Sequence, residues 1–232
     1  PWEEGAQRSD VLNTIQRVVV EDPQAAVLLK IDLNPPEEWL ETHEGRAIRI
    51  GSQDRAYPIP TSEGWLSAAR AALKTLVTGV EASPFRERVL GYVLTALHDG
   101  AWHHQDGHDV SAINLEGFRR WLRLMYSDDA SIQAAWADEE VSLDTVEIPA
   151  RPDTSDPAHA FLALPGQRRL VDFRRYTSES IADAIAALAV HVADLTETNA
   201  QVLVPYGYTF ELLRNDCGHL SLGTLVDSDV DG

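Results

Sequence analysis

The densest cluster of ionisable side chains in this chain is the run 98–109, HDGAWHHQDGHD, which holds His98, Asp99, His103, His104, Asp106, His108 and Asp109 around Trp102. Imidazoles and carboxylates this close together suit two kinds of chemistry. They hold a divalent metal ion where three or four of them converge, or they exchange protons with a bound substrate. The metal reading has no helical H-x-x-x-H or H-E-x-x-H spacing behind it and would depend on loop geometry alone. A solvated, histidine-rich surface loop is the alternative to both, because loops are polar by default.

What precedes the run argues for a site. Val89–Leu94 is a run of strand formers, and it gives way at once to the polar loop. An apolar strand that releases ionisable residues at its C-terminal end is how parallel α/β folds build their sites. Two further segments follow the same plan. Ala25–Leu33 (AAVLLKIDL) reads as a buried strand that brings Asp32 to its end before Asn34-Pro35-Pro36 stops it. Residues 201–206 form a third strand that ends in Tyr206-Gly207-Tyr208.

Helical patterns separate these strands. Ser9-Asp10 reads as an N-cap for a first helix. Pro36 opens a short turn over Glu37–Thr42, and Thr61-Ser62-Glu63 caps a helix over Gly64–Val80 with Leu66, Ala69, Leu73, Leu76, Val77 and Val80 on one face. Residues 114–126 are amphipathic through Phe118, Trp121, Leu122 and Met125, 131–137 form a shorter helix, and 167–196 a long one with Ile181, Ile185, Leu188, Val192 and Leu195 inward. Residues 219–227 form a last helix, and two weaker extended stretches lie at 47–50 and 57–60. Residues 138–166 have no period and read as an excursion, either functional or a plain surface loop. The order is α/β throughout, and its commonest home is a (β/α)8 TIM barrel. Three firm strands and two doubtful ones fall short of eight, so the expectation is a single domain over 1–232 that is an incomplete barrel. A doubly wound sheet is the rival, but no strand is followed by G-x-G-x-x-G or a P-loop, and no cofactor is expected.

Charge narrows the partners. With 37 acidic against 19 basic residues the formal charge is −18, a field that repels phosphate backbones and suits a neutral or cationic ligand. Nucleic acid and membrane are therefore not expected as partners: no apolar run approaches the roughly 18 residues of a membrane span. Cys217 is alone, so no disulfide framework or cysteine-rich zinc site is expected. With no signal pattern at Pro1, the expected location is the cytoplasm.

A set of short motifs then points to a family. Gly91-Tyr92, Asp99-Gly100-Ala101-Trp102, Phe118-Arg119-Arg120-Trp121-Leu122, Tyr126 and Ala134-Ala135-Trp136 occur in this order. Asp172-Phe173-Arg174-Arg175-Tyr176, Ser180-Ile181-Ala182-Asp183, Tyr206-Gly207-Tyr208, Gly218-His219-Leu220 and Asp227-Ser228-Asp229-Val230-Asp231 follow. Together they resemble β-galactosidase-like glycoside hydrolases of family 42, members of the retaining (β/α)8 clan. The resemblance implies a barrel, a β-galactoside-like carbohydrate ligand and hydrolysis by two carboxylates. In that family the loop after the fourth barrel strand reads Gly-Glu-Trp, and its Glu is the general acid/base. Here the run is Gly100-Ala101-Trp102, so that position cannot carry a proton. The family's nucleophile lies on a later strand, beyond the end of this sequence.

Three functional readings follow. In the first, the chain is a glycoside hydrolase, for which carboxyl groups stand about 5–5.5 Å apart in retaining and roughly 6.5–9.5 Å apart in inverting enzymes. Asp99 is the nearest substitute acid, or a loop-capping aspartate. Glu211 is the second carboxylate, or the partner of an arginine or a sugar hydroxyl. Trp39 and Trp102 stack on a pyranose or belong to the core. His98, His103, Tyr206 and Tyr208 offer polar contacts to sugar hydroxyls. Asp32 does the same, or forms an internal ion pair with Lys30. In the second reading the chain is a catalytically silent carbohydrate-binding or structural fragment, as Ala101 suggests. In the third it is a metal-dependent hydrolase using the His-rich loop. Since an open half-barrel exposes strand edges, a homo-oligomeric partner or the remaining part of the barrel is expected to cover them.

Overall fold

The computed structural model describes residues 6–42, 47–49, 56–104, 108–150, 166–196, 200–207 and 218–227. Its centre is a three-stranded parallel sheet in the order β1-β4-β5, made of β1 (Val27–Asp32), β4 (Val89–Thr95) and β5 (Gln201–Leu203). Between β1 and β4 run α2 (Glu37–Thr42), the strands β2 (Ala47–Arg49) and β3 (Ala56–Pro58), and α3 (Glu63–Glu81). Between β4 and β5 run α4 (Ala112–Met125), α5 (Asp129–Trp136) and α6 (Arg168–Ala193). Helix α1 (Ala6–Glu21) precedes β1, and α7 (Leu222–Asp227) follows β5. Strand and helix alternate around an open, unclosed sheet, the arrangement of an incomplete (β/α)8-type barrel.

The two weaker extended stretches are not barrel strands. β2 and β3 pair antiparallel with each other, Ile48 opposite Tyr57, in a separate two-stranded sheet. β1 also departs from the expectation of a buried strand. Val27, Leu29 and Ile31 turn toward the helices and are half-buried, whereas Leu28, Lys30 and Asp32 are exposed. The apolar run hid this alternation because Leu28 lies on the open face, where among the described residues nothing covers it. Leu90 and Leu203 are likewise exposed on β4 and β5.

The closed face carries the main core. Trp65, Ala69, Leu73, Val77 and Val80 of α3 meet Tyr92 and Leu94 of β4 and Ile181, Ile185, Leu188 and Val192 of α6, all buried. Ser62 caps α3 by accepting a hydrogen bond from the N–H of Trp65. At the other end, the buried Tyr92 hydroxyl donates to Glu81 at 3.1 Å. Gly91 is where β4 and β5 approach most closely, since a Cβ there would lie 2.2 Å from the carbonyl oxygen of Gln201. Only glycine keeps β5 in register.

A second cluster lies between α4, α5 and the first half of α6. It joins Phe118, Leu122, Ile132, Trp136, Phe173 and Tyr176 to Val141 and Val146. Residues 138–150 therefore pack on this cluster, and 151–165 lie outside the described residues. Two local expectations need correcting. Helix α1 begins at Ala6 rather than at a Ser9-Asp10 cap, because Ala6-Gln7-Arg8 are themselves good helix formers. Met125 is 43% exposed rather than inward, because α4 ends there and Tyr126 turns in instead. No helix among the described residues is long and apolar enough to cross a membrane.

Candidate functional site at the C-terminal end of the sheet

The three parallel strands deliver their following residues to one edge. Beyond β1 come Asp32 and Asn34, beyond β4 the loop 96–104, and beyond β5 Tyr206 and Gly207. Pairing continues past the strands: the N–H of Leu33 donates to the carbonyl of Thr95 at 2.7 Å, and the Thr95 hydroxyl to the carbonyl of Ile31 at 3.0 Å.

The loop after β4 is held in a conformation that ordinary residues avoid. Leu97 has φ 61° and ψ −153°, Asp99 has φ 53° and Trp102 has φ 52°. The Leu97 geometry belongs essentially to glycine and costs on the order of 1–3 kcal/mol. The surroundings impose it. Asn34 clamps Leu97 on both sides, its Oδ1 accepting the Leu97 N–H at 2.8 Å and its Nδ2 donating to the Leu97 carbonyl at 3.1 Å. Leu97 itself is 1% exposed. Trp102, fully buried, donates from its backbone to Ala96 and from Nε1 to the carbonyl of Leu94 at 2.8 Å. Its ring stands edge-on to Trp65, whose Nε1 donates to the carbonyl of Leu33 at 3.1 Å. Both indoles thus anchor strand ends in the core, and the Trp102 ring has no face open to solvent.

This strained turn presents His98 and Asp99. The His98 ring is held from both sides, Nδ1 at 3.3 Å from the Tyr57 hydroxyl and Nε2 at 3.3 Å from Asp99 Oδ2. An Nε2–H tautomer satisfies both contacts, donating to the carboxylate and accepting from the phenol. The Asp99 side chain is 60% exposed, that of His98 12%. The His103 ring lies edge-on to His98 at 5.3 Å and to His219 at 6.3 Å. Burial, then the neighbouring His98, pushes the His103 pKa down, so the ring is neutral at neutral pH. Ala101 is half-buried, and its carbonyl accepts the N–H of Gly207, tying the loop to the end of β5. Gly207 has φ 57°, and a Cβ there would lie 2.3 Å from the Cβ of His219, so glycine is what lets His219 reach the cluster.

The histidine run does not converge. His98 and His103 face the sheet end, His104 turns into the interior, and His108 packs edge-on to Phe173 at 5.4 Å in the second cluster. Among the described residues no three His, Cys, Asp or Glu side chains are placed to hold a metal ion. Asp32 is exposed at the sheet end, its Oδ1 accepting the N–H of Asn34 at 3.0 Å. Trp39 of α2 is half-buried against the main core. Tyr206 is buried, its hydroxyl accepting the N–H of Ser221 at 3.1 Å and facing the carbonyl of Gly218. Burial pushes its pKa up to about 12. Tyr208 and Glu211 lie outside the described residues. Asn34, Tyr57 and His219 were not singled out as site residues from sequence. Asn34, directly between a strand end and Pro35-Pro36, left the clearest trace, whereas the other two are distant in sequence.

No family model matches the sequence, and no curated protein matches it. Solved structures do. The β-galactosidase of the Antarctic haloarchaeon Halorubrum lacusprofundi superposes with a TM-score of 0.63 at 15% identity, over 93% of this chain and 32% of its own. A family 42 β-galactosidase from G. stearothermophilus gives 0.62 at 16% identity, over 90% of this chain and 30% of its own. The catalytic domain of a β-amylase from Paenibacillus polymyxa gives 0.64 at 11% identity, over 83% of this chain and 52% of its own. The fold matches part of the fold of these β-galactosidases and of the β-amylase. The chain spans about a third of the length of the β-galactosidases it matches. At these identities the likeness is one of fold.

Proposed function

We propose that the chain is a carbohydrate-active protein whose ligand, a β-galactoside or similar sugar, sits at the C-terminal end of the parallel sheet. The observation that carries this reading is the grouping of Tyr57, His98, Asp99 and His103 at that edge of a glycoside-hydrolase-like fold, with Asp32 exposed at the end of the neighbouring strand. Carboxylates that accept and imidazoles that accept or donate suit the hydroxyls of an uncharged sugar, and so does the strongly negative chain. In this reading Asp99 is the acid/base and Glu211 the second carboxylate of a two-carboxylate hydrolysis. Asp32, His98, His103, Tyr206 and Tyr208 bind hydroxyls and Trp39 is the aromatic of the site, while Trp102, buried in the core, anchors the loop rather than meeting the sugar. The chain acts in the cytoplasm as a single domain, with a second copy or further polypeptide over its open sheet edges.

A second reading is favoured by one residue. Ala101 has no proton to give, and a chain without the acid/base binds sugar but does not turn it over. Hydrolysis of a panel of chromogenic glycosides by this chain, beside an Ala101→Glu variant, separates the two. Turnover by the unmodified chain, abolished by Asp99→Asn, supports the hydrolase. Turnover only by the variant makes Ala101 the missing function. If both are inert while galactosides raise the melting temperature, the silent binder holds. Inert proteins with no sugar-induced shift overturn both readings.

A further inference from the structure

Behind the sheet end, where the loop after β4 meets α6, a small recess lies among Thr61, His104, Asp109, Asn114, Ser180 and Ile181. Its volume is about 20 Å³. A polar cavity needs about 10–15 Å³ of such space, and two to four polar partners, to hold one water molecule. The walls supply partners. His104 is 4% exposed, and its buried Nδ1 makes no hydrogen bond within the protein; the buried Thr61 hydroxyl lies near that of Tyr176 without a well-formed hydrogen bond to it. The Asp109 carboxylate accepts from the N–H and hydroxyl of Ser111 at 2.7 and 3.0 Å, which leaves lone pairs over. A buried polar group left unsatisfied costs about 1–3 kcal/mol, so two of them around one polar recess point to a shared partner.

We propose that this recess is a binding site for a single structural water, which accepts a hydrogen bond from Thr61 Oγ1 and donates to His104 Nδ1 and to the Asp109 carboxylate. The hydrogen-bond count closes. The hydroxyl gains an acceptor, the imidazole lone pair gains a donor, and the water makes three bonds. Burial, followed by the nearby His103 and His98, pushes the His104 pKa down to about 3, so the ring offers that lone pair at neutral pH. The water fixes His104 as its Nε2–H tautomer and so anchors the far end of the loop that Asn34 clamps at Leu97. His104 is thereby a positioning residue for His98 and His103, whatever ligand they meet.

Two NMR measurements on the unmodified chain test the site. Water-selective cross-relaxation spectra are expected to show a long-lived water beside the Ile181 methyls and the Thr61 side chain. A long-range proton–nitrogen spectrum is expected to show His104 protonated at Nε2 alone. The Thr61→Val variant removes a partner without changing the volume much, and is expected to lose or weaken the water signal and lower the melting temperature by a few degrees. Absence of the water signal from the unmodified chain overturns the site. So does a proton on Nδ1, or a Thr61→Val variant with an unchanged water signal and melting temperature.

Discussion

Two regions of this molecule hold acidic side chains among aromatic rings, and they treat them in opposite ways. In the cluster between α4, α5 and α6, Asp172 is 1% exposed and fully supplied with donors: the Tyr126 hydroxyl at 2.5 Å, Trp136 Nε1 at 2.8 Å and Arg168 Nε at 2.8 Å. Arg169 lies over the Trp136 ring, and Trp121 Nε1 donates to Glu179 at 2.6 Å. At the sheet end, Asp99 stands 60% exposed on a turn in which three residues without glycine's freedom have positive φ. In the first region the carboxylate is internally satisfied; the second holds its carboxylate on a strained turn and keeps it available to solvent. The position of an acid in a motif does not separate these cases, but its donor set and backbone do. Asp172 is structural by its saturation, whereas Asp99 keeps its carboxylate largely open to solvent.

The sharpest way to break this contrast is Asp172→Ala, which strands three donors in the α4–α6 cluster. Stability is expected to fall by about 3–5 kcal/mol in denaturant titrations, as when one partner of a buried ion pair is removed. A loss under about 1 kcal/mol would place Asp172 in the class of surface pairs and dissolve the distinction. At the sheet end, Asn34→Ala frees the Leu97 peptide from its clamp. About 1–3 kcal/mol is expected to be lost, with the turn relaxing out of its positive φ. A Leu97 amide that keeps its protection from hydrogen exchange in that variant would show that packing alone holds the strain.

Acid sharpens the comparison further, because the depressed histidines lie at the sheet end. The His104 pKa falls from the usual 6.5 to about 3 in the fold. The unfolded chain therefore binds the proton first, and stability is full above pH 6.5 and falls as pH drops from there toward the folded value. Between pH 6 and 5 the expected loss is on the order of 1 kcal/mol, with His103 adding in the same direction. Burial raises the Asp109 pKa and works the opposite way at lower pH. His104→Phe should flatten the slope between pH 6 and 5; an unchanged slope would mean that the ring is solvated. The smallest effect belongs to the first region, at the end of a helix. Ala137 closes α5 with φ 51° and ψ 45°, where glycine is the usual residue. Ala137→Gly is expected to add about 0.5–1 kcal/mol, readable as a rise in melting temperature of a few degrees.

Much of this fold was legible in the sequence because periodicity reports burial directly. The face of α3 through Leu66, Ala69, Leu73, Val77 and Val80 could be read from its spacing, as could that of α6 through Ile181, Ile185, Leu188 and Val192. Proline and capping residues marked α2 and the start of α3 for local steric reasons. The sheet end was less legible. Two carboxylates and two histidines near it were visible as types at strand ends. That Trp102 belongs to the core depends on Leu94 and Trp65, and that His108 leaves for Phe173 depends on α6.

What the sequence by itself determined is the alternation of strands and helices, the strand behind the His-rich loop, the family likeness and the alanine at position 101. These are local facts, set by side-chain type and chain stereochemistry. What only the tertiary structure decided is which polar groups meet. Tyr57 and His98 are far apart in the chain and 3.3 Å apart in the fold. Asn34 reaches Leu97 across neighbouring strands, and His219 reaches His103 past Gly207. Such meetings follow from strand register and crossover path, which every residue of the core fixes jointly and no short stretch encodes alone.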